Sequence, residues 1–452
     1  MIQTFVNAWK VPDLRKKILF TLMIILLYRI GANLIIPYVD IGTIQMFNSV
    51  FSDGIFGLLS MMSGQAFSQA TFFALSVSPY ITASIVIQLL SIAIPALERL
   101  SKDEDGKKKL SAATRWVTVG LALITAFGYV NFLSGANGYG IVFLTAAATP
   151  NANNTHVLPW IVMIACLCAG ASLIMWLAEK INEHGIGNGI SIILFANIIS
   201  GLTGYIEGAI QMLKDPTSPI GAFHTGWKLV GSIVGVILSV ALALAAIVFI
   251  VWFTNSERRI KVIYAKRVVG RKTYGGQKTN LPLKMNMAGV MPVIFASSIA
   301  SLPAMIAGFV PTSGFAKFVN NWLGTDKAIY FVIFVALIVA FSYFYIAISF
   351  NPVEVANNIR NNGGAIIGIR PQEMAPFIKK ILNRVTLMGA IFLVVIAGVP
   401  ILAGAIATMI GVQFTSLAFA GTSLLIAVGV ALEIVRDLEA QLSMRNYKGF
   451  LD

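Results

Sequence analysis

The sequence predicts an all-α polytopic membrane protein: ten transmembrane helices in two five-helix, inverted pseudo-symmetric halves, with one short re-entrant helix. Three observations carry this. The 452 residues are 57% hydrophobic and only 12% charged, whereas soluble domains carry roughly 25% charge. The charges come in blocks separated by apolar runs of about 20 residues, the length a helix needs to cross a hydrocarbon core about 30 Å thick. The basic residues fall almost wholly on one side of the resulting map.

Apolar windows place spans at 18–38, 72–94, 116–136, 157–178 and 190–208, then at 229–253, 288–309, 329–350, 385–405 and 414–434. With the N-terminus inside, 28 of the 33 Lys and Arg lie in inner segments. The outer loops hold only Lys214, Lys228, Lys317 and Lys327, and Arg29 sits within span 1. This asymmetry puts both termini in the cytoplasm. It also explains the net charge of +14 without invoking nucleic acid. The first run follows Lys10, Arg15, Lys16 and Lys17 but is too long for a signal peptide, so it is expected to remain as an anchor. Five spans on each side of a long basic loop divide the chain into residues 1–208 and 209–452. An odd number of spans per half gives the halves opposite orientation.

Residues 54–67 (GIFGLLSMMSGQAF) are apolar but too short to cross. On the outer side such a piece reads as a re-entrant helix, with a surface-lying segment as the alternative. Gly54, Gly57 and Gly64 permit close backbone packing.

Ion-coupled transporters need an ionisable group at mid-membrane, and these spans carry almost none; no charged ring or carbonyl filter suits an ion channel. Arg29 is the exception and either pairs across helices or snorkels outward. Cys166 and Cys168 read as small core hydrophobes. No HExxH, GxSxG or P-loop occurs, so no enzyme activity, cofactor or metal site is expected and any ATP-derived energy comes from outside. In span 2, Val77, Ile81, Ile85 and Gln88 lie roughly along one face. Pro79 there, with Gly289 and Pro292 early in span 7, suggests two softened helices forming a seam.

The loop at about 255–285 carries nine basic residues against one acidic, Glu257. Alternation in RRIKVIYAKR predicts a hairpin strand and YGG its turn. The loop at about 351–384 places Gly363, Gly364 and Gly368 before Arg370-Pro371. Such dense charge suits an anionic macromolecule; anionic lipid is the competitor.

SPYITASIVIQLL, EKINEHGIGNGISIILFA, RRIKVIYAKR, LPLKMNMAGVMPVIFASS, GIRP and GTSLLIAVGVALE occur in this order over nearly the whole chain. Together they resemble the SecY family of protein-conducting channels in prokaryotic cytoplasmic membranes. The resemblance implies an hourglass pore between the halves that opens sideways between spans 2 and 7, for unfolded secretory polypeptides and for membrane segments released into lipid. It implies a pore ring of Val77, Ile81, Ile190, Leu194, Ile294 and Ile426. It makes the re-entrant piece a plug, with Gly54, Ile55, Phe56, Gly57, Leu58, Leu59, Met61, Met62 and Gly64. The lateral gate would include Pro79, Ile85, Gln88, Asn286 and Pro292. Arg258, Arg259, Lys266, Arg267, Arg271, Lys272 and Arg370 would dock the motor ATPase SecA or the ribosome with its nascent chain, through ribosomal RNA contacts. SecE and SecG would be membrane partners, and signal sequences, unfolded polypeptide and membrane lipids the other ligands. The family often has Pro where Ile367 stands and Gly where Gln372 stands. The rival reading is an inverted-repeat transporter of small solutes.

Overall fold

A computed structural model describes the backbone of residues 2–40, 42, 60, 63–134, 144, 157–214, 228–264, 266–269, 272–275, 278–309, 313–324, 328–409 and 415–448. The chain opens with a short amphipathic helix, α1 (Ile2–Lys10), and the first long helix, α2 (Pro12–Gly31). There follow α3 (Ser78–Ala93), α4 (Pro95–Lys102), α5 (Glu104–Leu133), α6 (Val157–His184), α7 (Gly189–Lys214) and α8 (Lys228–Asn255). A strand-rich insert holds β1 (Glu257–Tyr264), β2 (Lys266–Val269), β3 (Lys272–Gly275) and β4 (Lys278–Lys284). The remainder is α9 (Met291–Phe309), α10 (Gly314–Trp322), α11 (Ala328–Ser349), α12 (Pro352–Asn361), β5 (Gly364–Ile366), α13 (Met374–Met409) and α14 (Thr415–Lys448).

Ten of these helices fall on the ten expected spans: α2, α3, α5, α6, α7, α8, α9, α11, α13 and α14. Among the described residues, Asp105–Leu133, Val157–His184, Ile329–Asn361 and Met374–Gly398 are long and apolar enough to cross a membrane by length and composition. The α3–α4 pair makes a fifth when taken as one span bent by 112°. Several helices outrun their apolar windows at the basic end: α5 starts at Glu104, α13 at Met374, and α14 continues to Lys448. Hydropathy registers only the lipid-facing stretch, whereas Lys, Arg and Glu prolong a helix readily in water.

Packing repeats between the halves. In the first, α3 packs on α5, α5 on α6 and α6 on α7; in the second, α9 packs on α11, α11 on α13 and α13 on α14. The main buried cluster draws Tyr28, Ile81, Ile174 and Leu194 from the first half and Ile250, Ile294, Phe334, Phe392 and Ile426 from the second. A second cluster joins α5 and α6 to residues between Ile36 and Leu75.

Two boundaries differ from the hydropathy reading. The span expected at 18–38 ends as helix at Gly31, and the span expected at 72–94 starts as helix only at Ser78. Residues 63–77 form a chain of turns instead of the helix expected to run to 67. Their polar backbone is satisfied by cross-links: Phe72 N–H donates to Leu34 O at 2.7 Å, Ile36 N–H to Ala70 O at 3.1 Å, and Tyr129 Oη to Phe67 O at 2.6 Å. Gln65, Ala70 and Ser76 all adopt positive φ there, a conformation uncommon outside glycine that tertiary contacts must hold. Local hydropathy is blind to such a segment, because its stability is almost all non-local.

Candidate functional site

The site is built where the two halves meet. Val77 caps the start of α3 and Ile81 follows one turn later, its N–H on Val77 O at 3.0 Å, so both point to one face. Leu194 comes from α7, Ile294 from α9 and Ile426 from α14; with Val77 and Ile81 they are at most 4% exposed. Ile190, half-buried, packs against the same cluster. All six residues expected in the ring therefore meet in one apolar body contributed by four helices.

On one side of this body lies a cavity of about 750 Å³. Ile250, Val290 and Leu425 form its apolar floor, and Asn188, Lys284, Asn286, Glu433, Arg436 and Asp437 belong to its polar wall. Asp437 accepts the Gly187 N–H at 2.9 Å, and Arg436 donates to Thr254 O at 2.8 Å, so the rim ties α14 to both halves. Desolvation first, and then the Arg436 guanidinium, hold the Lys284 amine below its ordinary range.

The 63–77 segment packs into the same body through Ala66, Phe73 and Val77. Gly64 adopts φ +63°, and a Cβ there would stand 3.1 Å from Asn197 Cα and 3.2 Å from Asn197 O. Only glycine meets both demands without strain. Arg29 Nη1 donates to Gly64 O at 3.4 Å, which resolves the one charge within span 1: it binds the backbone of the 63–77 segment. Asn197 Nδ2 reaches Ser76 Oγ at 3.3 Å. Sequence reasoning missed Asn197, Ser76 and Tyr129 as a polar frame around this segment; amides and hydroxyls inside apolar runs were the available signal. Gly54, Ile55, Phe56, Gly57, Leu58, Leu59, Met61 and Met62 lie outside the described residues.

α9 packs against α3 and α5, and of the expected gate residues Pro79 borders the crevice between them. Pro79 and Ile85 are buried in α3, and Gln88 donates to Ser84 Oγ at 3.2 Å. Asn286, 6% exposed, lines the cavity just before α9. Thr82, Thr125, Ser298 and Ser301 border a narrow crevice along the seam. The expectation that Pro79 and Pro292 soften their helices is corrected. Each occupies the second position of its helix, where the missing N–H would be unpaired in any case and the fixed φ favours helix initiation. The proline inside a seam helix is Pro303 of α9.

The two basic loops form one folded unit. β1 pairs antiparallel with β4, from Glu257↔Lys284 to Ile263↔Lys278. On its other edge β1 pairs with β5 through Val262↔Ile366 and Tyr264↔Gly364. Ile260, Val262, Leu283 and Ile366 bury one face against Ala356, Ile359, Met374 and Ile378. Arg258 and Arg259 are exposed on β1, with Arg259 Nη2 3.0 Å from Glu257 Oε1. Lys266 and Arg267 sit on β2 opposite Gly275 and Tyr274, and Lys272 starts β3 opposite Val269; Arg271 lies outside the described residues. Of the expected YGG turn, Tyr274 and Gly275 are strand residues that pair with Arg267 and Lys266, and Gly276 lies outside the described residues. Arg370 is exposed beyond β5. Ile367 stands in a turn closed by Ile369 N–H on Ile366 O at 3.2 Å, which keeps its shape without a proline.

A buried apolar body between two helical halves, a seam on its flank, a cavity with a polar rim and a strained turn segment packed into it define a polytopic membrane protein of the channel class. The chain belongs to the SecY family, whose sequence model matches residues 71–435. The protein translocase subunit SecY of Streptomyces galbus is 41% identical over 458 residues, covering 100% of each chain. Two solved structures share the fold at low identity. One, a study in which the plug domain of SecY stabilizes the closed state and maintains a membrane seal, has a TM-score of 0.58 at 16% identity and covers 94% of this chain and 92% of that one. The other, Sec61 in the canine ribosome–channel complex from the endoplasmic reticulum, has a TM-score of 0.56 at 15% identity, with coverage of 94% and 92%.

Proposed function

We propose that this chain is the pore-forming subunit of a protein-conducting channel in a prokaryotic cytoplasmic membrane, with both termini in the cytoplasm. The observation that carries the reading is the convergence of Val77, Ile81, Ile190, Leu194, Ile294 and Ile426 in one buried body, with the polar-rimmed cavity beside it and the 63–77 segment packed into it. A narrow apolar ring disfavours water and ions, yet it can deform around a passing chain without reading its sequence. Small-solute transport would need polar ligands at that depth, and the ring supplies none.

In this mechanism an apolar signal segment intercalates at the seam between α3 and α9. Each Val or Ile uncovered there loses about 1.5–3 kcal/mol of burial, which the apolar side chains of the incoming segment replace. Residues 1–208 and 209–452 act as the two halves, and residues 54–59, with Met61, Met62 and Gly64, act as the plug. The energy for movement comes from a separate motor or from the ribosome. The basic platform supports docking of either partner, because its β4–β1–β5 sheet carries Arg258 and Arg259 with Arg370 just beyond β5, and its separate β2–β3 hairpin carries Lys266, Arg267 and Lys272, with Arg271 between those two strands. SecA, SecE and SecG are the partners this reading entails; the ribosome-bound relative favours the ribosome as well.

The deciding test is crosslinking of a stalled secretory chain to single cysteines at Ile81 and Ile294, with Cys166 and Cys168 replaced. Strong crosslinks at both, absent at lipid-facing Val332, are expected; none at either, despite normal insertion, returns the chain to solute transport. Replacing residues 54–59 with a short linker should leave insertion intact and raise the resting ion leak; leak at baseline removes the plug assignment. Arg370→Glu should weaken motor-driven export several-fold while leaving channel insertion unchanged, and normal export in that variant moves the docking site elsewhere on the platform.

A further inference from the structure

We infer that α10 (Gly314–Trp322) is an interfacial anchor whose partner is the headgroup–acyl boundary of the bilayer, and that it fixes the end of the seam helix α9 farthest from the basic platform. The inference rests on the proposed topology.

The argument begins with how nine residues divide around a helix. At about 100° per residue, and with Phe315 set at zero, Trp322 lies near ~340° and Phe318 near ~300°. Val319 lies near ~40° and Ala316 near ~100°. Lys317 lies near ~200° and Asn321 near ~240°. The helix therefore has three sectors. Ala316 and Val319 are 0% exposed and pack with Ala307 of α9 and with Leu323. Lys317 and Asn321 are exposed and polar. Phe315, Phe318 and Trp322 are 48%, 55% and 54% exposed on a contiguous arc.

A helix surrounded by water would not keep three large aromatics uncovered on one arc, and a helix deep in lipid would not carry Lys317 and Asn321 on another. The three sectors fit a helix lying at the line where protein, lipid and water meet, with its aromatic arc in the interfacial region. Continuity with the lipid-facing surface supports the bilayer as occupant, for Ile306 of α9, 51% exposed, extends the apolar surface from α10 onto the spanning helix. Ser313 caps the helix, accepting the Ala316 N–H at 3.1 Å, so α10 is a defined element rather than a frayed end of α9.

The consequence reaches the seam. Leu302 and Met305, less than two turns from Ala307, border the crevice between α9 and the α3–α5 pair. An anchor at Ala307 holds the outer end of α9 at fixed depth, so movement of this helix away from α3 pivots about that end.

The test uses the full-length chain, with Cys166 and Cys168 replaced, in vesicles of phosphatidylcholine and phosphatidylglycerol. A nitroxide is placed on Phe318→Cys, on Lys317→Cys or on Val332→Cys. Collisional accessibility is then read with oxygen, which partitions into lipid, and with a water-soluble nickel chelate. The oxygen-to-nickel ratio at 318 is expected to exceed that at 317 several-fold and to fall below that at 332. Equal ratios at 318 and 317 overturn the anchor, since both arcs then face water. A ratio at 318 matching 332 overturns it as well, because the helix would be immersed. Labelling of Lys317→Cys by an impermeant maleimide from the platform side only would sink the topology while leaving the depth measurement standing. As a functional readout, Phe318→Ser combined with Trp322→Ser should slow export several-fold, and Phe318→Trp should restore it in the Trp322→Ser background. Wild-type export in the double serine variant ends the claim that the anchor serves the seam.

Discussion

Asparagine at both Ile81 and Ile426 is expected to make the resting channel conduct ions. These side chains come from different halves and are 2% and 4% exposed within one apolar body. Each introduced amide is buried without a partner, at a cost of about 1–3 kcal/mol. Water entering the constriction relieves that cost, so the two changes together favour the wetted state by roughly 2–6 kcal/mol. Since about 1.4 kcal/mol is a factor of ten in an equilibrium, ion flux through reconstituted vesicles should rise by at least one order of magnitude. Ile81→Leu, which keeps volume and apolarity, should remain sealed. A double-asparagine channel as tight as the parent would mean that the seal is made somewhere other than these side chains.

Gly170→Val is expected to be among the most damaging single substitutions in the first half. Gly170, buried in α6, packs on the carbonyl oxygen of Phe72, and a Cβ at that position would overlap that atom. Both sides of the contact are backbone, so no rotamer change relieves it. Overpacking in a rigid interior costs about 1–3 kcal/mol and more where backbone must shift, and valine adds helix strain of its own. We expect a loss of about 3 kcal/mol or more, visible as a lower unfolding temperature in detergent and as reduced accumulation in membranes. Displacing Phe72 should also disturb the 63–77 segment and raise ion leak in whatever protein survives. Gly170→Ala should shift stability in the same direction. Gly120→Ala, where nothing lies within 4 Å of the added carbon, should be neutral. Wild-type stability in Gly170→Ala would show that α6 and the 63–77 segment are not packed as closely as described.

These variants mark the border between what could be read early and what could not. The alternation of apolar runs and basic blocks located ten spans, and the i,i+4 spacing of Val77 with Ile81 and of Ile190 with Leu194 put each pair on one face. The chain turns of 63–77 were illegible, because three positive-φ residues are held there by partners on α5 and on the stretch after α2. Pro79 and Pro292 were misread because a proline's effect depends on its position within the helix, which apolar windows do not locate. The union of the two basic loops was likewise invisible: Val262 and Ile366 pair across more than a hundred residues, and a three-residue strand has almost no local signature.

By itself, then, the sequence determined that this chain lies in a membrane, how many times it crosses, and which loops carry the charge. Transfer from water to lipid is close to a sum over residues in a short window, so it can be read without knowing what touches what. Only the tertiary structure decided that six aliphatic side chains from four helices meet, that Arg29 reaches the carbonyl of Gly64, and that β1 joins two distant loops into one platform. Those outcomes depend on contacts between residues far apart in the chain, whose energies are those of packing and pairing and belong to no single segment.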